Sequence, residues 1–145
     1  MTRSNSPAKA VIVPVDRAGR RILIVDDQIS NVKLLEFTLR RGGYLDVVST
    51  TDPTQVAAMH EENPFDLILL DLQMPVMSGF QVMQRLRAEE GTHRAGILVI
   101  SADPALALAA LEGGADNFLS KPYLLADVLN RVQLLLPKSG PQNIK

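Results

Sequence analysis

Five short strand-like runs recur along this chain with helical patterns between them, and that alternation constrains the fold more than any other feature. The runs are Arg21–Val25, Tyr44–Ser49, Phe65–Leu70, Ile97–Ile100 and Asn117–Ser120. Most are oily throughout rather than alternating apolar with polar. A strand of that kind is buried on both faces, as in a parallel sheet covered by helices. Right-handed crossovers then bring every strand C-terminus to one edge of the sheet. Open sheets of this type bind ligands at that edge.

The intervening segments carry helical spacing and stop signals. Val32, Leu35 and Leu39 share one face of a first helix, which Gly42-Gly43 ends. Asp52 caps a second, with Pro53 at the first helical position and Gln55 placed to complete a capping box; Asn63-Pro64 ends it. A loop with Pro75 and Gly79 leads into a third helix carrying Phe80, Met83 and Leu86, stopped by Gly91. Residues 104–113 form a short fourth helix. Leu125, Val128, Val132 and Leu135 line a fifth over 124–136. Residues 1–20 read as an N-terminal extension, partly disordered, 21–137 as one domain, and 138–145 as a tail or truncated linker.

Composition removes several function classes. The chain has 145 residues, enough for one domain with a real core, and a net charge of −1, which implies no general attraction to nucleic acid or anionic lipid. No apolar stretch is long enough to span a bilayer, and the N-terminus lacks the apolar core of a signal peptide. The absence of cysteine excludes disulfides and thiolate chemistry and fits a cytoplasmic protein. His60 and His93 are isolated from each other and from any acidic cluster, so both read as surface histidines rather than metal ligands.

Four of the strand ends carry polar groups: Asp26-Asp27, Asp71, Ser101 and Lys121. Taken singly, each has a plain structural reading: a capping turn, a strand tip, a helix-leading hydroxyl, a loop lysine. Together they put three carboxylates, a hydroxyl and an ammonium on one edge. Clustered carboxylates repel one another, so a divalent cation is expected among them. Oxygen donors without His or Cys select a hard ion, and Mg²⁺ retaining several waters fits best. A carboxylate beside such an ion can attack phosphorus and form an aspartyl-phosphate. The cation, Lys121 and Ser101 can each take an oxygen of the transferring phosphoryl group.

On these residues the chain resembles the receiver domains of two-component response regulators. The matching stretches are Ile24-Val25-Asp26-Asp27, Leu69 to Pro75 with Ser78-Gly79, Ile100-Ser101-Ala102, and Gly114 to Pro122. The resemblance implies a flavodoxin-like (βα)5 sandwich with a five-stranded parallel sheet in the order 2-1-3-4-5. It implies that Asp71 accepts phosphate from a histidine kinase or histidine phosphotransfer protein. Asp27, Asp71 and the Gln73 backbone carbonyl would hold Mg²⁺, with Asp26 acting through a metal-bound water. Lys121, preceding a cis Pro122, would pair with the carboxylate or the phosphate. Ser101 would move to the phosphate and Phe118 turn inward behind it. The face of helix 4, strand 5 and helix 5 would then change for a downstream protein target or a homodimer.

The chain departs from the family pattern between Ser101 and Lys121, where the segment is short. There the run Ala105 to Leu111 is apolar all round, which favours an exposed oily patch for a partner over a buried helix. Tyr123 stands where Phe is more usual. Such a module catalyses its own phosphorylation and dephosphorylation but turns over no external substrate. An alternative is a Mg²⁺-dependent aspartyl-phosphate phosphatase, but its acid–base carboxylate would fall at Gln73, which cannot serve. With no helix-turn-helix after residue 137, the expectation is either a stand-alone receiver or a piece of a larger regulator. Residues 25–35 are similar to receivers fused to cyclic-dinucleotide or kinase outputs.

Overall fold

The computed structural model describes residues 19–89 and 94–136. Gly91, His93, most of the N-terminal extension and the tail lie outside them, as does the assignment of each. The elements are β1 Arg21–Val25, α1 Ile29–Arg41, β2 Asp46–Thr50, α2 Val56–Glu62, β3 Leu67–Asp71, α3 Gly79–Glu89, β4 Gly96–Ser101, α4 Ala107–Glu112, β5 Asn117–Ser120 and α5 Leu125–Leu135. All strand pairs are parallel, in the order β2-β1-β3-β4-β5. This is the flavodoxin-like arrangement anticipated above.

The period of 2 in the strands divides the core into two halves. Ile22 and Ile24, Leu67 and Leu69, and Leu98 and Ile100 face α1 and α5, packing against Val32, Leu35, Leu39, Val128 and Val132. Leu23 and Val25, Ile68 and Leu70, and Ile97 and Val99 face α2, α3 and α4, meeting Val56, Met83, Leu86 and Ala110. Strands sandwiched this way need apolar residues at every position, which is why they read as unbroken oily runs.

Several boundaries shift from the sequence expectation. The second strand begins at Asp46, because Tyr44 closes α1 instead. Gly43 adopts φ 98, Gly43 N donates to Arg40 O and Tyr44 N to Leu39 O, each at 3.0 Å, and the Tyr44 ring is buried against the core. Asp52 does cap its helix, but through Thr54 N at 3.0 Å, and the first turn, Pro53–Gln55, is 3₁₀ with no return bond from Gln55. The fourth helix also opens with a 3₁₀ turn, Pro104–Leu106. His60 is not a surface residue: it is buried, stacks on Phe65, and its Nδ1 accepts the Phe65 N–H at 3.0 Å. Its role is to satisfy a buried backbone donor as the chain enters β3.

Candidate functional site

The C-terminal edge of the sheet gathers the polar strand ends. Asp71 is the last residue of β3, the central strand, and is only 7% exposed. Asp26, 1% exposed, follows β1 next door, and Asp27 is half-buried beside it. One carboxylate oxygen from each lies within 4.8 Å of the other two. Lys121 Nζ sits 3.7 Å from Asp26 Oδ2. Ser101 ends β4, one position past the Ile100 that pairs with Asp71, and is fully buried. Lys121 N donates to Ser101 O at 2.8 Å, which ties the lysine to that strand end. The structure thus brings together all five polar residues selected from sequence.

Backbone amides fix two of the carboxylates. Asp26 Oδ1 accepts Gln28 N at 2.9 Å, so this residue leads the chain into α1 while its other oxygen faces Lys121. Asp26 is thus a turn former and, at the same time, one of the three clustered acids. Asp71 Oδ1 accepts Gln73 N at 3.2 Å, which sets the carboxylate plane; the Gln73 side chain itself is exposed.

The electrostatics single out Asp71. Desolvation by burial raises its carboxyl above the ordinary carboxylate value, and the charges of Asp26 and Asp27 push the same way. The Gln73 amide and the Lys121 charge pull it back without cancelling the rise. Tyr123 lies close enough to feel Asp26: burial raises its phenol first, and the Asp26 charge adds to that.

Two contributors escape a sequence reading. Gly79 packs so tightly against the end of β3 that a Cβ there would lie 2.5 Å from Asp71 O and 2.8 Å from Leu72 Cα. Ser78-Gly79 stands out in the sequence, but nothing local says that its neighbour is the Asp71 backbone. Asp103 caps the turn after β4, its Oδ1 accepting Ala105 N at 3.0 Å, and its own N–H donates to Ser101 Oγ at 3.2 Å. The Asp-Pro pair repeated at 52–53 and 103–104 was the available signal.

Phe118 is half-buried and rests against the core half under α2, α3 and α4. The Lys121-Pro122 peptide bond is cis. Of the apolar run 105–111, only Ala110 is fully buried, while Leu108 is 67% exposed and Leu111 is also exposed. The helix therefore presents an oily surface. Among the described residues, no helix is long and apolar enough to cross a membrane.

A twisted parallel sheet with three clustered acids, a lysine and a buried serine on one edge defines a class that comparison with known proteins identifies. Residues 22–133 match the response regulator receiver domain family, and the chain belongs to it. The transcriptional regulatory protein PrrA of Mycobacterium tuberculosis is 36% identical over 83% of this chain and 51% of its own length. The chain thus spans about half the length of that curated relative. Among solved structures, the chemotaxis protein CheY4 of Vibrio cholerae is 30% identical with a TM-score of 0.74, over 82% of this chain and 100% of that one. The receiver domain of the sensor histidine kinase PA1611 of Pseudomonas aeruginosa is 30% identical with a TM-score of 0.73, over 82% and 98%. That structure is described as having a magnesium ion coordinated in the active site cleft.

Proposed function

We propose that this receiver domain is a phosphorylation-controlled switch whose acceptor is Asp71. The observation that carries the reading is the convergence of three carboxylates within 4.8 Å around the tip of the central strand, with Lys121 alongside. Asp71 attacks the phosphorus of a phosphohistidine on a sensor kinase or phosphotransfer protein. The P–N bond breaks, an acyl-phosphate P–O bond forms, and the imidazole leaves with a proton from solvent. Holding Oδ1 on the Gln73 amide leaves Oδ2 for the new bond. Attack of water at phosphorus later returns the carboxylate and inorganic phosphate.

The donor set suits a hard divalent cation: it is all oxygen, clustered and sheltered. Asp27, Asp71 and the Gln73 carbonyl would hold Mg²⁺, with Asp26 acting through water. When bound, the ion neutralises the mutual repulsion of the acids and the charge of the incoming phosphoryl group. PA1611, described with magnesium in its cleft, supports this by analogy. Lys121 swings from Asp26 to a phosphoryl oxygen. Ser101 donates its hydroxyl to another, and Phe118 packs into the space behind it. The altered surface of α4, β5 and α5, with Leu108 and Leu111 exposed on it, then binds a protein target or a second copy. As the match to PrrA suggests, this module can serve within a longer regulator whose remaining part carries the output.

Intact-mass measurement after incubation with acetyl phosphate and Mg²⁺ tests the reading. The wild-type chain should gain one acid-stable, base-labile phosphoryl group, absent in Asp71→Asn and absent when EDTA replaces Mg²⁺. Equal labelling of the Asn variant would overturn it.

A further inference from the structure

An open sheet leaves unused hydrogen-bonding groups on its two edge strands, a template for pairing with another chain. Among the described residues those strands are β2 and β5. On β2, Asp26 N donates to Thr50 O, which turns the Thr50 backbone toward β1. Alternate residues of a parallel strand turn the same way, so Asp46 and Val48 also face β1, while Leu45, Val47 and Ser49 face out. That outer edge is not bare. Arg40, in the last turn of α1, donates Nη1 to Leu45 O at 3.1 Å and Nη2 to Val47 O at 3.2 Å. One turn earlier on the same helix, Glu36 accepts the Ser49 hydroxyl at 2.8 Å. Two successive outward carbonyls thus end in one guanidinium.

The β5 edge is covered through a donor instead. Lys121 N donates inward to Ser101 O, so the Phe118 N–H points outward by the same alternation. It donates to Asn117 Oδ1 at 2.8 Å, and Arg131 Nε holds that oxygen at 3.1 Å. What β2 would pair with, were its carbonyls free, follows from its own residues. The strand Asp46-Val47-Val48-Ser49-Thr50 is rich in β-branched side chains and carries one charge. An antiparallel second copy centred on Val48 sets Val47 opposite Ser49 of that copy. Both face out, so each such pair exchanges two backbone hydrogen bonds. Val48 meets Val48 and Asp46 meets Thr50, so no like charges lie opposite one another. The pairing also sets α1 beside its copy, where it covers Phe37, three positions before Arg40 and 55% exposed. Val47 O, which Arg40 holds, is an acceptor that this pairing needs.

We propose that the outer edge of β2 is a self-association surface for a second copy of this chain, and that Arg40 keeps it closed. The guanidinium occupies the acceptors that the second copy requires. Its two charge-assisted bonds must break before a strand can add. Once the guanidinium is gone, Leu45 O and Val47 O are free and the two β2 strands join into one continuous sheet. This surface lies on the opposite edge of the sheet from β5, away from Leu108 and Leu111, and it involves no residue of the acidic cluster.

Sedimentation velocity and residue-resolved amide exchange by NMR test this on the full, unphosphorylated chain over a dilution series. In wild type, exchange at Val47 and Ser49 should not depend on concentration. Glu36→Gln, which keeps an oxygen for Ser49, should behave like wild type. Glu36→Gln/Arg40→Met removes the guanidinium without leaving a carboxylate beside the edge, and should self-associate at least about tenfold more tightly. In that variant the Val47 and Ser49 amides should exchange roughly tenfold more slowly when concentrated than when dilute, with Phe118 unchanged. Glu36→Gln/Arg40→Ala should do the same, so a folding defect in one leaves the other to decide. Folded double variants that stay monomeric would overturn the proposal. So would association that leaves Val47 and Ser49 exchange unaltered, or a wild-type chain that associates through these amides as tightly as the variants.

Discussion

Lys121 Nζ lies 3.7 Å from Asp26 Oδ2, so the ammonium at the site is paired with the most deeply buried of its three acids. It also lowers the proton affinity of Asp71. One cation therefore serves two carboxylates that would otherwise repel each other in a sheltered place.

Replacing Lys121 with Met should destabilise the domain in the absence of divalent cations. Losing one partner of a buried pair costs several kcal/mol, but this ammonium is partly in solvent, so about 1–2 kcal/mol is the expected loss. Urea denaturation should show it. Adding Mg²⁺ should recover much of the deficit, since the ion replaces the missing positive charge, whereas Ca-free, Mg-free buffer with added NaCl should recover less. A Lys121→Met chain as stable as wild type in EDTA would argue that the pair contributes nothing.

Asp71 gives an inverted pH dependence. Burial and its acidic neighbours raise its carboxyl in the fold, so the folded chain holds this proton more tightly than the unfolded chain. The favourable contribution is therefore present below the ordinary carboxylate range and is lost as pH rises through the raised value. Asp71→Asn keeps an oxygen for the Gln73 amide and removes the charge. Without divalent cations it should be more stable than wild type at neutral pH, by on the order of 1 kcal/mol after allowing for screening, and the gap should close on acidification. Paired thermal melts from acid to neutral pH in EDTA check both the sign and the trend. Saturating Mg²⁺ should narrow or reverse the neutral-pH gap, because the wild-type carboxylate binds it and the amide does not.

Gly79→Ala should damage the site from behind. Its new methyl would press on the Asp71 carbonyl and the Leu72 backbone, neither of which can rotate away. Overpacking of this kind costs about 1–3 kcal/mol. Chemical denaturation should show the loss, and, with Asp71 as the proposed acceptor, the surviving folded fraction should label with acetyl phosphate more slowly, because the end of β3 is displaced. Wild-type stability would mean that the α3 start has room to shift.

Leu108→Asp separates surface from core. Leu108 is 67% exposed, so stability should change by no more than about 0.5 kcal/mol. Association with a target or a second copy in the phosphorylated state should weaken sharply, as read by light scattering or sedimentation. Ala110→Asp, on the opposite side of α4 and fully buried, should unfold the domain. Unimpaired association of the Leu108 variant would move the partner surface elsewhere.

Much of the architecture was legible in the residues because it depends on local periodicity. Oily runs too short for helices, joined by helical segments with Gly and Pro at their ends, imply a covered parallel sheet. That topology alone assigns Asp26, Asp27, Asp71, Ser101 and Lys121 to one edge. The boundaries that moved did so for reasons of hydrogen bonding: Tyr44 follows a glycine reversal rather than starting a strand, and Asp52 meets its helix through a 3₁₀ turn.

What the tertiary structure decided is which groups touch. The strand order brings Asp26 to Asp71 and Lys121 to Asp26, although 45 and 95 positions respectively separate them along the chain. His60 became a buried acceptor because Phe65 needed one where the chain enters β3. Leu108 and Ala110, alike in hydropathy pattern, ended on opposite sides of α4 because only one side meets the core. A sequence specifies the period and the stops of each segment. The partner of each side chain is set by the crossing of segments far apart in the chain, and no local pattern encodes that crossing.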